Sequence, residues 1–282
     1  SLSKGHMNIV ALILGDIRNP FYAELTFKIQ QILNDNGYMV MTLNSEYDIE
    51  RELEFLKITE QFNFAGLILI TAQEEKIEEK LNRMDIPKVL VNRILPTYAG
   101  DSVLIDNFQA GYLAVMHLIE LGHKHIGFIK GPGVSSASSQ RFAGYRQAIA
   151  NYGLPFDEKF VFESDLKMET GRLISKKIVG LNIRPSAMVV VNDMTAIGLM
   201  DGCRAAGIVI PQELSIVSFD NIPFASMYGI ELTTISQHVD KMGEKAAGLM
   251  LKQLKDKNAK PERIIIEPTL IVRGTTCAYT EN

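Results

Sequence analysis

The side chains of this chain that could do chemistry sit just after short apolar runs. Asp16, Arg18, Asn19, Phe21 and Tyr22 follow the run Ile9–Leu14. An acid and an amide beside two aromatic rings suit a sugar-like ligand: rings stack on apolar faces while polar groups hold hydroxyls. The same Asn19-Pro20 pair also reads as a helix start, an N-cap followed by proline at the first helical position. Asn192-Asp193 follow the run Ala187–Val191, and Asp220-Asn221 follow Leu214–Phe219. A carboxylate at 220 can accept a pair of hydroxyls, and a cap at 192 with a turn at 220 is the plainer alternative.

Other candidates lead away from catalysis. Gly131-Pro132-Gly133 resembles a phosphate-cradling loop but lacks the Gly-Lys-Ser/Thr ending. Gly133-Val134-Ser135-Ser136-Ala137 approximates a nucleophile elbow. Gly and Pro separate its serine from the preceding strand, and the only later histidine is His238. Lys130–Gln140 is therefore expected to be a hydroxyl-rich loop facing a polar ligand, with a helix starting only at Arg141. His123 and His125 have no third metal ligand near them, so no metal site is expected. Glu74, Glu75, Glu78 and Glu79, interleaved with Lys76 and Lys80, read as a solvated helix face. Met194, Met200, Met242 and Met250 fall at core positions. Cys203 and Cys277 read as two free thiols. No acid–base cluster is present, so neither an enzyme nor a cofactor is expected.

The elements that must position these residues follow from the hydrophobic pattern. At 282 residues the chain exceeds one core, so two lobes are expected. Short β-rich runs alternate with amphipathic stretches, a rhythm that specifies parallel sheets with right-handed crossovers. Strands are expected at Ile9–Leu14, Tyr38–Leu43, Gly66–Ile70, Lys88–Val91 and Val103–Ile105, with helices after Pro20, at Ile49–Gln61 and at Glu74–Met84. The rhythm then restarts, with helices at Phe108–Leu121, Arg141–Tyr152, Met168–Val179 and Thr195–Ala205. Strands are expected between them, the last being Leu232–Ser236. A helix at Val239–Leu254 and two paired strands, Ile264–Ile266 and Thr269–Val272, end the chain, as expected if it crosses between lobes more than once. The fold class is α/β, with two doubly wound parallel-sheet lobes. The formal net charge of −4 makes this chain a poor grip for DNA by itself. No apolar run reaches the ~18 residues needed to span a bilayer. No signal peptide opens the chain, so a cytoplasmic protein with no membrane partner is expected.

Six segments in register resemble one family. Asp16–Tyr22 (DIRNPFY), Asp106–Leu118 with Glu120–His123, and Gly131-Pro132 with Arg141-x-x-Gly144-Tyr145 are similar to the core of LacI/GalR-type bacterial repressors. So are Asn192–Gly198, Val217–Asn221 and Leu232–Gln237. The resemblance implies a periplasmic-binding-protein-like (type I) core whose lobes are joined by a three-strand hinge, residues 7–106 with 237–266 and residues 107–236 with 267–279. It implies a homodimer and a sugar or sugar-phosphate effector in the cleft between lobes. Operator DNA would be reached through an N-terminal helix-turn-helix domain expected to lie outside this chain, and some members also sense a phosphocarrier protein. The effector contacts implied are Asn19, Phe21, Asp106, Ser135, Ser139, Asn192 and Asp220, with Arg93 where the family often has Asp-Arg. Asp16 and Tyr22 complete the candidate set. Two departures stand out: Ser139 replaces an arginine common in sugar-responsive members, and Ser218 replaces a glycine, which would shift the Phe219-Asp220 turn. Arg18 and Arg93 together would favour an anionic or phosphorylated sugar. The rival reading is a periplasmic sugar-binding protein of a transport system.

Overall fold

Aliphatic runs too apolar for a one-sided sheet become strands covered on both faces. The first, MNIVALIL, forms β1 (Met7–Leu14), whose last five residues are all buried. A computed structural model describes residues 7–70 and 75–280. Glu74, expected in the third helix and its acidic face, lies outside the described residues. After β1 come α1 (Pro20–Asp35), β2 (Met39–Asn44), α2 (Ile49–Gln61), β3 (Phe64–Leu69), α3 (Glu75–Arg83), β4 (Lys88–Val91) and β5 (Asp101–Ile105). The second stretch holds α4 (Asn107–Glu120), β6 (Ile126–Lys130), α5 (Ser136–Asn151), β7 (Val161–Glu163), α6 (Met168–Val179), β8 (Ala187–Val190), α7 (Asp193–Ala205), β9 (Ser215–Asp220) and β10 (Thr233–Ser236). Then follow α8 (Val239–Lys255), β11 (Arg263–Ile266) and β12 (Thr269–Ile271).

The chain divides into two units, Ser1–Ile105 with His238–Ile266 and Asp106–Gln237 with Glu267–Asn282, so it passes between them three times. In the N-terminal unit six strands lie in the order β11-β5-β4-β3-β1-β2, all parallel. Ala11, Ile13, Leu67 and Leu69 pack with Leu56, Ile77 and Leu81 from α2 and α3. The period-two alternation turns Val10, Leu12 and Leu14 to the other layer, where α1 and α8 pack together and α8 lies on β3, β4 and β5. In the C-terminal unit the order is β12-β10-β9-β8-β6-β7, parallel except for β12, which runs antiparallel to β10. Phe128, Val189, Val217 and Phe219 meet Ala114, Leu118, Tyr145 and Ile149 in one core. The phenol of Tyr145, fully buried there, donates to the carbonyl of Ile126 at 2.8 Å, which satisfies its one polar atom.

Three expectations are corrected. The two last strands do not pair with each other: β11 extends one sheet beside β5 and β12 the other beside β10. Glu267 and Pro268 lie between them, and the chain passes from one unit to the other at Ile266–Glu267, which carries the two strands into different sheets. The serine-rich segment is no loop, because α5 begins at Ser136 with Ser135 as its N-cap. Met200, Met242 and Met250 are core residues as read, whereas Met194 is only partly buried.

Helices α4 and α5 cross at bare backbone. A Cβ on Gly111 would stand 2.0 Å from the carbonyl oxygen of Arg141, and one on Gly144 would stand 2.1 Å from that of Phe108. Backbone cannot step aside as a flexible side chain can. Gly144→Ala is expected to cost about 2–3 kcal/mol, read as a lower urea midpoint with an unchanged slope.

Candidate functional site

Parallel pairing sends the carboxyl ends of the strands to one edge of each sheet, and ligands of such sheets bind beyond that edge. In the N-terminal unit the edge is formed by Gly15 and Asp16 after β1, Ser45–Tyr47 after β2, and Asn92-Arg93 after β4. Asp16 is 8% exposed and takes a two-pronged grip from Arg18, whose Nε and Nη2 each lie 2.8 Å from one of its oxygens. Arg18 is thereby matched to a carboxylate at close range. Asn19 caps α1, its Oδ1 accepting from the Phe21 amide at 3.0 Å. The Phe21 and Tyr22 rings meet edge to face at 5.3 Å, both buried.

Tyr47 belongs to the same edge, though inspection of the residues after the strands passed it over. Its ring lies 6.4 Å from that of Tyr22, with the two hydroxyls 3.3 Å apart. Burial, then the neighbouring Tyr22, holds its hydroxyl protonated well above the usual range. Gly15 makes room for it: a Cβ there would sit 2.2 Å from the Tyr47 ring. The available signal was position, since Tyr47 follows β2 just as Asp16 follows β1. Arg93 comes after Asn92, whose φ of 54° turns the chain sharply. The guanidinium folds back so that Nη1 donates to the Asn92 carbonyl at 2.6 Å, and Nη2 reaches the Tyr22 hydroxyl at 3.4 Å.

In the C-terminal unit three of the expected residues lie at helix starts. Asp106 caps α4 through the Gln109 amide (2.8 Å), Ser135 caps α5 through the Ser138 amide (3.3 Å), and Asn192 caps α7 through the Thr195 amide (2.9 Å). Asn192 also donates through Nδ2 to the Leu166 carbonyl at 3.0 Å. Ser139, one turn into α5, is exposed and its hydroxyl donates to the Gly133 carbonyl at 3.3 Å. A cap and a rim residue are the same position here, because each helix begins where its strand reaches the edge.

Arg141 ties these starts together and was not among the expected site residues. It is 5% exposed, its Nε donates to Asn107 Oδ1 at 2.9 Å and its Nη1 to the Val191 carbonyl at 2.7 Å. Its guanidinium lies over the Phe219 ring at 4.6 Å, and Nη1 is 4.0 Å from Asp220. Asp220 is 4% exposed and accepts from the Gln237 side-chain amide. Its φ of 118°, with Asn221 at 56°, marks a backbone held in the left-handed region at the end of β9. Arg141 was legible as part of the Arg141-x-x-Gly144-Tyr145 motif and as an arginine on a helix face shared with Tyr145 and Ala148, but not as a rim residue. Beneath this group, Asp193 is fully buried and accepts from the hydroxyls of Ser218 and Thr234 and from the Ile222 amide. Ser218, the departure from the family's glycine, is therefore a donor to a buried acid. Burial pushes the Asp193 carboxyl up to about 6, against the pull of those three donors and of Arg273.

His123 is 3% exposed and bonded through both nitrogens, to the Ser186 hydroxyl and the Cys277 carbonyl. Among the described residues no group of three or more His, Cys, Asp and Glu could hold a metal ion. No described helix is long and apolar enough to cross a membrane. A cavity of about 510 Å³ in the N-terminal unit, lined by Asn8, Phe64, Arg83, Asp85 and Pro87 among others, opens at the opposite, amino-terminal edge of the sheet.

Residues 115–276 match the family described as a periplasmic binding protein-like domain. The chain is 30% identical over 280 residues to the HTH-type transcriptional regulator DegA of Bacillus subtilis, covering 98% of this chain and 83% of that one. The crystal structure of transcription regulator CcpA of Lactococcus lactis aligns with a TM-score of 0.87 at 26% identity, over 96% of this chain and 99% of that one. A LacI family transcriptional regulator from Enterococcus faecium, solved with bound ribose, aligns with a TM-score of 0.85 at 25% identity, over 96% and 100% of the two chains.

The raised carboxyl of Asp193 has a definite sign in stability. The folded state binds its proton more tightly than the unfolded chain does. The stabilisation this group confers is therefore present at low pH and lost as pH rises through about 6. Asp193→Asn does not titrate, so the stability of the native chain minus that of the variant should fall by about 3 kcal/mol at most between pH 4 and pH 8. Urea unfolding of both at the two pH values measures it, and an equal difference at both would show that burial does not set this acid's affinity for its proton.

Proposed function

The chain belongs to the LacI/GalR family of transcriptional regulators, and from that premise we propose that it is the effector-sensing and dimerising core of a repressor. The observation that carries the reading is the rim of the C-terminal unit. There the buried Asp220 carboxylate, the Gln237 amide and the Arg141 guanidinium gather at the end of β9. A carboxylate can accept two hydroxyl donors from one sugar, and the amide and guanidinium orient it without the proton-transfer pair that chemistry would need. The ribose bound to the Enterococcus relative supports a sugar-like effector.

In this reading Asp220, Asn192, Asp106, Ser135 and Ser139 serve the effector from one unit, and Asp16, Asn19, Phe21, Tyr22 and Arg93 from the other. The caps keep lone pairs beyond those that the helices use. An effector held by both rims stabilises whichever arrangement of the units lets it touch both, and only that difference in affinity can move the equilibrium. Operator DNA is then released or gripped through helix-turn-helix domains whose spacing the dimer sets, since half-site spacing on DNA is fixed.

A thermal-shift screen of sugars, sugar phosphates and nucleobases identifies the effector. Asp220→Ala should then weaken it by about tenfold to a hundredfold, the value of a charge-assisted hydrogen bond, with the circular dichroism spectrum unchanged. Titration calorimetry showing the native affinity in that variant would remove Asp220 from the site.

A further inference from the structure

Arg93 is a buried cation without a counter-charge. It is 5% exposed, its Nε meets no acceptor, and among the described residues it forms no ion pair. Its two partners are a carbonyl and, at 3.4 Å, a phenol oxygen, neither of which neutralises it. A guanidinium taken out of water in this way is strongly unfavourable unless an anion answers it. The acid on the same rim, Asp16, has both oxygens on Arg18 at 2.8 Å.

Two hydroxyls stand beside the guanidinium, and that of Tyr22, which accepts from Arg93 and from Tyr47, keeps its own proton to donate. The Tyr22 hydroxyl touches it, and the Tyr47 hydroxyl is 3.3 Å from that of Tyr22. A planar fork of N–H groups flanked by O–H groups matches the oxygens of a phosphoryl or carboxylate group. Gly15 adds to the case, since the chain leaves out a side chain to let the Tyr47 ring reach this place.

We propose that Arg93, Tyr22 and Tyr47 form an anion subsite, and that the effector carries a phosphoryl or carboxylate group beside its hydroxyls. This inference rests on the effector-sensing reading and names the class of effector.

The test uses the full chain and simple anions. Thermal unfolding is followed while inorganic phosphate, acetate or chloride is titrated at matched ionic strength, for the native chain and for Arg93→Met. Phosphate or acetate should raise the Tm of the native chain with saturation, chloride should not, and the midpoint should move at least tenfold higher in Arg93→Met. Without anion, Arg93→Met should melt at or above the native temperature, because an uncompensated charge has gone. A purely structural arginine predicts a lower Tm and an unaltered anion response. If Arg93→Met does not fold, the Tyr22→Phe, Tyr47→Phe double variant carries the same comparison with an expected loss of several-fold. A stronger response to phosphate points to a phosphorylated effector, and a stronger response to acetate to a sugar acid. Equal anion responses in native and variant chains overturn the subsite and leave the sensing reading intact. An effector screen that finds no ligand counts against the sensing reading alone, because the anion titration needs no effector.

Discussion

Parallel strand pairing is the constraint on which the candidate site depends. A parallel ladder cannot be closed by a tight hairpin, so each strand must be followed by a crossover that returns the chain to the starting edge. Most of the crossovers here are helices, and α1, α5 and α7 begin at the edge where β1, β6 and β8 have just ended. Polar residues at that edge cap the exposed amides of the helix at the place where ligands of such sheets bind. Asn19, Asp106, Ser135 and Asn192 are such residues. For Asn19 and Asn192 cap and contact are the two readings of one position, and the geometry makes them compatible, because an amide oxygen has a second lone pair.

The two rims differ in how their charges are balanced. In the C-terminal unit Arg141 lies over Phe219, near Asp220, and bonds Asn107 and Val191, so its charge is spread over an acid, an aromatic face and two acceptors. That arrangement is rigid because α4 and α5 cross at Gly111 and Gly144, which brings Arg141 down onto the start of α4. Asp193 braces the adjoining β9 and β10 by collecting two hydroxyls and an amide. In the N-terminal unit the pairing is uneven: Asp16 answers Arg18, and Arg93 is left among aromatic hydroxyls. A rim that is internally satisfied suits orientation of neutral hydroxyls, and one that is left short of negative charge suits an anion.

The pattern of the sequence was a good guide to elements and a weaker one to partners. The helices Ile49–Gln61 and Met168–Val179 are legible to the residue, the first because Asp48 caps it and the second because Gly180 ends it. The serine run misled because serine is a mediocre helix former that also suits loops. Nothing local says that Ala137 and Ser138 will be buried under their own helix. The last two strands misled for a similar reason. Two short apolar runs two residues apart look like neighbours, whereas the chain passes between units at Ile266–Glu267 and β11 and β12 extend different sheets.

By itself the sequence determined the α/β rhythm, the family and the caps at Asn19 and Asn192. These depend on periodicity and on neighbours within a few residues, which the order of side chains carries directly. Only the tertiary structure decided which polar groups meet. Arg141 finds acceptors 34 and 50 residues away, Tyr47 joins Tyr22 across 25, and among the described residues Arg93 forms no ion pair. Whether a buried charge is answered depends on distances across the fold, to which the spacing of residues along the chain is blind.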